Sequence, residues 1–239
     1  MTYPMSRPVL LAVAHGSRDP KAQQTVRSLA AAAGELDPGV EVRTAFVQNA
    51  EPSLAGALAA AAQRHVVVVP LLLSAGYHLS QDIGEVATRA GVPVAAPLGP
   101  GPELVPALAG RLRAAGVPAG TPVVLAAAGS ADPRAAGDAR NQATLLASHL
   151  QAPVLAAFAS AARPTVGEAI AALADRTGGP VAVASYLLAP GVFHDRLRAS
   201  GAGWVSAPLG DHPAVAAQIL DRFRNASDQR LCTPCGSRR

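Results

Sequence analysis

Two histidines and the loop between them are the groups in this chain best suited to chemistry. His15 ends the apolar run Val9-Leu10-Leu11-Ala12-Val13-Ala14 and opens the turn His15-Gly16-Ser17-Arg18-Asp19-Pro20, while His78 closes the stretch Pro70-Leu71-Leu72-Leu73-Ser74-Ala75-Gly76-Tyr77-His78. Both follow segments that read as strands, and open α/β folds bind ligands outside the carboxyl ends of their strands. Neutral imidazoles, with an unperturbed pKa of about 6.5, can hold a divalent metal or take up a proton near neutrality. The alternative for each is to cap a strand end by bonding a loop carbonyl; two histidines on adjacent strand ends favour the chemical role. The segment Phe46-Val47-Gln48-Asn49-Ala50-Glu51-Pro52-Ser53 brings Gln48 and Glu51 to the same edge. Glu51 could hold a substrate nitrogen or a metal, or it could stabilise the amino end of the following helix through the helix dipole. Ser17, Arg18 and Asp19 precede a helix whose free N–H groups favour anions. Arg18 suits a carboxylate bound through both its oxygens, whereas Asp19, ahead of Pro20, reads as the helix cap.

The elements that must carry these groups alternate in type. Strand patterns at 9–14, 40–47, 66–73 and 92–96 are followed by Ala-rich helical patterns at 21–35, 53–64, 80–90 and 103–115. Four strand–helix pairs imply a parallel sheet with helices on both faces, and nearly continuous Val, Leu and Ala is what a doubly covered strand requires. The second half repeats the order, with strands at 123–127, 154–158, 181–186 and 204–207 and helices at 132–149, 164–176, 192–200 and 213–224. Gly16 and Gly129, Phe46 and Phe158, Pro52 and Pro164, and the two Ala-Pro-Leu-Gly runs at 96–99 and 207–210 are separated by 111 to 113 positions. So constant an offset marks an internal duplication. The chain therefore divides into 1–118, carrying the site, 119–225, a degenerate copy, and 226–239, a flexible polar tail.

The second copy has lost the chemistry: Ala128, Ala131, Ser160 and Arg163 stand where His15, Arg18, Gln48 and Glu51 stand in the first. One active site is expected, with the second half as its opposing wall, and a monomer then suffices. His194 follows Gly191 by three positions where His78 follows Gly76 by two, so it is a poor counterpart.

Composition removes several classes of function. The 239 residues carry a net charge of +4 that comes almost wholly from scattered arginines, and only 3% are aromatic, so neither a basic stripe nor a stacking platform for nucleic acid is expected. No apolar run approaches the ~18 to 20 residues of a membrane span, and the first eight residues do not read as a secretory signal, so the expectation is a cytoplasmic protein. The two cysteines, Cys232 and Cys235, lie in the last eight residues and leave the body without a disulfide. No G-x-x-x-x-G-K-[ST], G-x-G-x-x-G or G-x-S-x-G occurs, which disfavours ATP-driven chemistry and serine hydrolysis.

Taken together, Ala14-His15-Gly16-Ser17-Arg18, Ala45-Phe46 with Glu51-Pro52-Ser53, and the 70–78 stretch resemble the sirohydrochlorin chelatase family in its long, two-lobed form. The resemblance implies a bilobal chelatase fold and ATP-independent insertion of Fe²⁺, or alternatively Co²⁺, into sirohydrochlorin, with siroheme synthesis preferred over cobalamin synthesis. It makes His15 and His78 the metal-binding and proton-accepting pair. Ser17, Arg18, Gln48 and Glu51 become substrate contacts, and Leu73, Ser74, Ala75, Gly76 and Tyr77 the loop against which the macrocycle lies. The metal is substrate, and no permanently bound cofactor is implied. Gln48 stands where many relatives carry glutamate, and a neutral amide can neither neutralise a dication nor accept a proton. The Cys232-Thr233-Pro234-Cys235 tail is similar to that of long members holding an iron–sulfur cluster, but two thiolates are half of the usual set, so a free dithiol is expected. A non-catalytic tetrapyrrole or metal carrier is the main alternative. A phosphohistidine-type phosphatase ranks lower, because the arginine that precedes the histidine in that class is replaced here by Ala14.

Overall fold

Every residue of the first strand, β1 (Val9–Ala14), is buried. Leu10, Ala12 and Ala14 pack into one core while Val9, Leu11 and Val13 pack into another. Successive strand side chains point to opposite faces, so a run that is apolar throughout demands cover on both. The computed structural model describes residues 7–74 and 77–231 and provides that cover in two lobes. In the first, β2 (Glu41–Phe46), β1 and β3 (Val66–Pro70) form a parallel sheet in the order β2-β1-β3. In the second, β4 (Val123–Ala127), β5 (Val154–Phe158), β6 (Ala182–Tyr186) and β7 (Trp204–Val205) take the order β5-β4-β6-β7.

Two parallel sheets with helices on both faces match the expected fold class, with one correction. The fourth strand expected at 92–96 is only a single bridge, Val68 to Val94. Pro93 has no N–H to offer the ladder and Pro97 follows four residues later, so pairing stops at the bonds from Val68 N to Pro93 O and from Ala95 N to Val68 O.

Helices α2 (Leu54–Ala60) and α3 (Tyr77–Arg89) cover the outer face of the first sheet through Leu54, Leu58, Ile83 and Ala87. Helices α6 (Val166–Thr177) and α7 (Val192–Arg198) do the same for the second through Val166, Leu173 and Leu197. Between the sheets lies one continuous core holding α1 (Pro20–Leu36), α4 (Val105–Ala114), α5 (Pro133–Leu150) and α8 (Pro213–Leu231). Here the chain order is crossed. Helix α4, which ends the first half, packs on α5 and β6 of the second lobe, and α8, which ends the second half, packs on α1 and β3 of the first.

The crossing is pinned by a matched pair of arginines. Arg111 on α4 donates through Nη2 to the Leu209 carbonyl at 2.8 Å. Arg222 on α8 donates through Nε to the Pro97 carbonyl at 2.8 Å and through Nη2 to Leu98 O at 3.4 Å. The two arginines are 111 positions apart, as are Leu98 and Leu209.

Helix α8 also runs six residues into the segment expected to be a flexible tail from 226, because Ala226 is buried in the central core and Ser227 Oγ bonds back to Phe223 O. Cys232 and Cys235 lie outside the described residues. Among those described, no helix is long and apolar enough to cross a membrane.

Candidate active site

The turn after β1 is built by its glycine. Gly16 sits at φ 97°, and a Cβ there would lie 1.7 Å from the Gln48 carbonyl oxygen, so only glycine permits this approach. The end of β2 is held alongside by bonds from Val47 N to Ala14 O and from Gln48 N to His15 O, both 3.0 Å. As a result the exposed side chains of His15 and Gln48 meet, with Gln48 Nε2 2.8 Å from His15 Nε2. An amide nitrogen only donates, so in this arrangement the ring nitrogen is the accepting partner of the contact.

The flanking residues divide between turn-making and the mouth of the site. Ser17 Oγ accepts from Asp19 N at 3.1 Å, and Gln23 Nε2 donates to Ser17 O at 2.8 Å. Asp19 caps α1 by accepting from Lys21 N at 2.8 Å, with Pro20 at the first helical position, as its place in the sequence suggests. Arg18 is exposed at the apex of the turn. Glu51 is exposed, and its carboxylate accepts from Ser53 N at 2.8 Å; Ser53 in turn caps α2 by accepting from Gly56 N. Of the two roles open to Glu51, helix-end stabilisation is therefore the one its contacts display. Its carbonyl also accepts from Arg27 Nη2 at 2.9 Å, and the Arg27 guanidinium lies 5.4 Å from the centre of the Phe46 ring.

Across from His15 the chain leaves β3 through Leu71, Leu72, Leu73 and Ser74. With His15, these residues form one side of a cavity of about 260 Å³ whose other side is Ala127–Gly129, Phe158, Tyr186 and Leu188 of the second lobe. A second hollow of about 160 Å³, lined by His15–Ser17, Gln23 and Ala189 among others, shares His15, Leu71 and Leu188 with the first. The two are parts of one cleft between the lobes, mostly apolar, with His15, Ser17, Gln23, Ser74 and Tyr186 as its polar lining. A larger hollow of about 640 Å³ lies between α2 and α3 at the amino end of β3, walled by Leu58, Val86 and Val92 with Arg64 and Arg89. It contains no histidine and no carboxylate, and it is at the wrong end of the strands for ligand binding in such folds, so the interlobe cleft is the candidate site.

Tyr77 and His78 lie on the first turn of α3, which begins three residues earlier than the sequence pattern suggests. The side chains of both fall outside the described part of the structure, as do Ala75 and Gly76 entirely. Among the described residues no group of three His, Cys, Asp or Glu side chains converges to hold a metal. His194 is turned to the second lobe's own frame, with Nε2 3.2 Å from Ser206 O. Tyr186 was not among the expected site residues, yet its hydroxyl donates to Leu73 O at 2.6 Å across the cleft. The only sequence signal for it is a tyrosine at the end of an apolar strand in a chain that has three tyrosines.

The CbiX sequence profile matches residues 9–115 and again 122–226, once over each lobe. The chain belongs to the CbiX family. CbiX relatives include the sirohydrochlorin ferrochelatase of Bacillus subtilis, 29% identical to this chain over 239 aligned positions covering 91% of each protein. The sirohydrochlorin cobaltochelatase of Methanococcoides burtonii is 31% identical over 80 residues, 32% of this chain and 61% of the relative. In three dimensions this CbiX chain is similar to SirB from Bacillus subtilis, a structure with Fe³⁺, at a TM-score of 0.81 and 27% identity, covering 95% of this chain and 98% of that one.

Proposed function

We propose that this chain inserts a divalent metal into sirohydrochlorin without ATP, with Fe²⁺ as the favoured metal and Co²⁺ as the second. The observation that carries the reading is a histidine with an engaged but uncommitted lone pair at the mouth of a mostly apolar interlobe cleft, in a two-lobed CbiX chain similar over 91% of its length to a sirohydrochlorin ferrochelatase.

Insertion must remove two pyrrole N–H protons and exchange the metal's water ligands for ring nitrogens. The site therefore needs a proton acceptor and an incomplete metal shell. His15 Nε2 serves both needs, because its partner in the structure is a neutral amide that an incoming metal or proton can displace. When Nε2 takes a proton, rotation of the Gln48 amide presents Oε1, and the donor becomes an acceptor for the new N–H. Gln48 thus supports the charged ring without itself taking a proton. His78, on the first turn of α3 after the 71–74 segment, is the second ligand and acceptor in this reading. Leu73, Ser74, Ala75, Gly76 and Tyr77 form the surface against which the macrocycle rests. Arg18, exposed beside His15, meets the substrate's carboxylates, with Ser17 and Glu51 holding the turns on either side. With hollows of about 260 and 160 Å³, the cleft lies at the low end of the roughly 300–1,000 Å³ usual for drug-sized ligands, so one edge of the large ring enters while the rest stands in the open mouth. A single chain contains both walls, so a monomer is sufficient for the reaction.

The test is an anaerobic absorbance assay of sirohydrochlorin with Fe²⁺ and separately with Co²⁺, comparing the protein, its His15→Ala variant and the spontaneous reaction. Acceleration that needs His15 supports chelation and ranks the metals. Tetrapyrrole binding without acceleration replaces it with a carrier, and no interaction with the tetrapyrrole overturns it.

A further inference from the structure

We propose that Tyr186 of the second lobe is a positioning residue for the first lobe's site, holding by its hydroxyl the segment that leads from β3 to His78. The inference rests on the chelatase reading for its kinetic consequence, but its physical basis is independent of it.

Tyr186 is the last residue of β6 and is 2% exposed. Its ring lies in the central core, and its hydroxyl emerges on the cleft side to donate to the Leu73 carbonyl at 2.6 Å. Leu73 and Ser74 line the cavity opposite Ala127–Gly129 and precede His78 by only a few residues. Leu72 O accepts the other described bond to this segment from the same side, from Gly99 N at 3.2 Å. Gly99 itself is shaped by the joint: a Cβ there would lie 2.3 Å from Tyr186 Oη and 2.7 Å from Leu73 O. Three separated pieces of chain therefore meet at one hydroxyl, and one of them carries the proposed ligand loop.

The phenol is well suited to this role. Burial, reinforced by the negative charge of Asp138, pushes its ionisation far above the ordinary tyrosine range, so it remains a neutral donor at any working pH. A buried donor facing a carbonyl has no water to compete with, so the bond is worth more as a constraint on position than it would be at the surface. The register also shows that the two lobes differ here. Ser185 pairs with Ala126 as Pro70 pairs with Val13, so Tyr186, one residue on, corresponds to Leu71, and the first lobe has no hydroxyl at this place. The lobe that lost the histidine is the one that supplies the tether.

The experiment compares the wild-type chain with Tyr186→Phe, which keeps the ring and removes only the donor, and with Gly99→Ala, which crowds the same joint from the other side. In the wild type and Tyr186→Phe, amide hydrogen exchange is measured over the peptide spanning 71–89, with 9–14 and 123–127 as internal references. Exchange in 71–89 should rise at least tenfold while the references hold. With sirohydrochlorin and Fe²⁺, kcat should fall roughly 10- to 100-fold with KM changed less than about threefold, the signature of a misplaced group and not of lost binding. Gly99→Ala should reproduce the kinetic loss, and the double variant should add little to either single one, since both act on one joint. Unchanged exchange in 71–89 overturns the tether. Faster exchange with kcat and KM both intact overturns the positioning role and leaves a structural bond only. If the wild type itself does not accelerate metal insertion, the functional reading has failed, and the exchange comparison still decides whether Tyr186 holds the loop.

Discussion

The turns after β1 and β4 are nearly the same object with different contents. Gly16 and Gly129 adopt φ 97° and 92°, and a Cβ at either would collide with the facing carbonyl of Gln48 or Ser160. Ser17 and Ser130 accept from Asp19 N and Asp132 N at 3.1 Å in both, and each aspartate caps the helix that follows. Yet where the first turn presents His15 to Gln48, the second has Ala128, whose carbonyl is taken by Ser160 Oγ at 2.8 Å. The backbone of the turn is thus maintained by glycine, serine and aspartate, and the imidazole is an addition that the geometry does not need. This separation lets the second lobe keep its shape while its residues turn to other work.

The sharpest way to break the comparison is to remove the imidazole. His15→Ala should lower the metal-insertion rate roughly 10²- to 10⁴-fold with the melting temperature little changed. Ala128→His in that background should restore nothing, because Ser160 and not Gln48 faces the turn; recovered activity would show that the second lobe still holds a site. Next in size are Gly16→Ala and Gly129→Ala, each expected to cost at least about 3 kcal/mol in urea unfolding, because a Cβ cannot be placed in either turn. A much smaller loss at one of them would mean that the turns are not equivalent. Removing the arginines that pin the crossed helices, by Arg111→Ala or Arg222→Ala, should cost about 1.5–3 kcal/mol each, since both donate a charged hydrogen bond to a carbonyl of the other half.

Smaller differences distinguish the lobes. Helix α6 begins with a reciprocal capping box between Thr165 and Glu168, whereas at α2 Ser53 Oγ accepts from Gly56 N and the Ser53 N–H is taken by Glu51, which precedes the helix. Thr165→Ala should therefore cost about 1–2 kcal/mol and Ser53→Ala about 1 kcal/mol, measured by thermal unfolding. The smallest effect is electrostatic and confined to the first lobe. Glu41 is held below its ordinary value of 4.5 first by the hydrogen bond from Arg64 and then by that from Arg43. A carboxylate whose pKa falls on folding stabilises the native state above its unfolded value, and the benefit is lost as pH falls through its folded value. The stability difference between wild type and Glu41→Gln should accordingly be present at pH 7 and shrink once the pH drops below about 4.5. The corresponding position in the second lobe, Pro153, offers nothing to titrate.

The repeat was legible in the sequence because it is written in residues with strict backbone demands, such as Gly16 and Gly129 or Pro52 and Pro164, and these are harder to exchange than core aliphatics. His15, Gln48 and Glu51 could be placed on one edge because parallel strands put all their carboxyl ends together. The crossing of α4 and α8 could not be read. Both are Ala- and Leu-rich helices with an apolar face that would fit either sheet, and local periodicity does not name a partner. Only the equal spacing of Arg111 and Arg222 with Leu209 and Leu98 hints at it, and that becomes meaningful once the contacts are seen. The missing strand at 92–96 was hidden by its composition, since Val92, Val94 and Ala95 suit a strand while Pro93 and Pro97 remove the donors needed for a ladder. Tyr186 was missed for a related reason: its hydroxyl serves a carbonyl 113 positions away, and no local pattern records such a distance.

The crossed helices also govern what can happen while the chain is being made. The first lobe's sheet is complete once residue 70 has left the ribosome, but the helix that covers β3 is α8, which ends at Leu231. At ordinary elongation rates of 5–20 residues per second, the nascent first lobe waits on the order of 10–30 s for its last cover. During that interval the inner face of β3 and the flank of α1 are bare apolar surface, and α4 has already emerged without the sheet on which it belongs. The order of translation therefore makes the amino-terminal half a dependent partner that matures last, and chaperone demand during synthesis should be concentrated there.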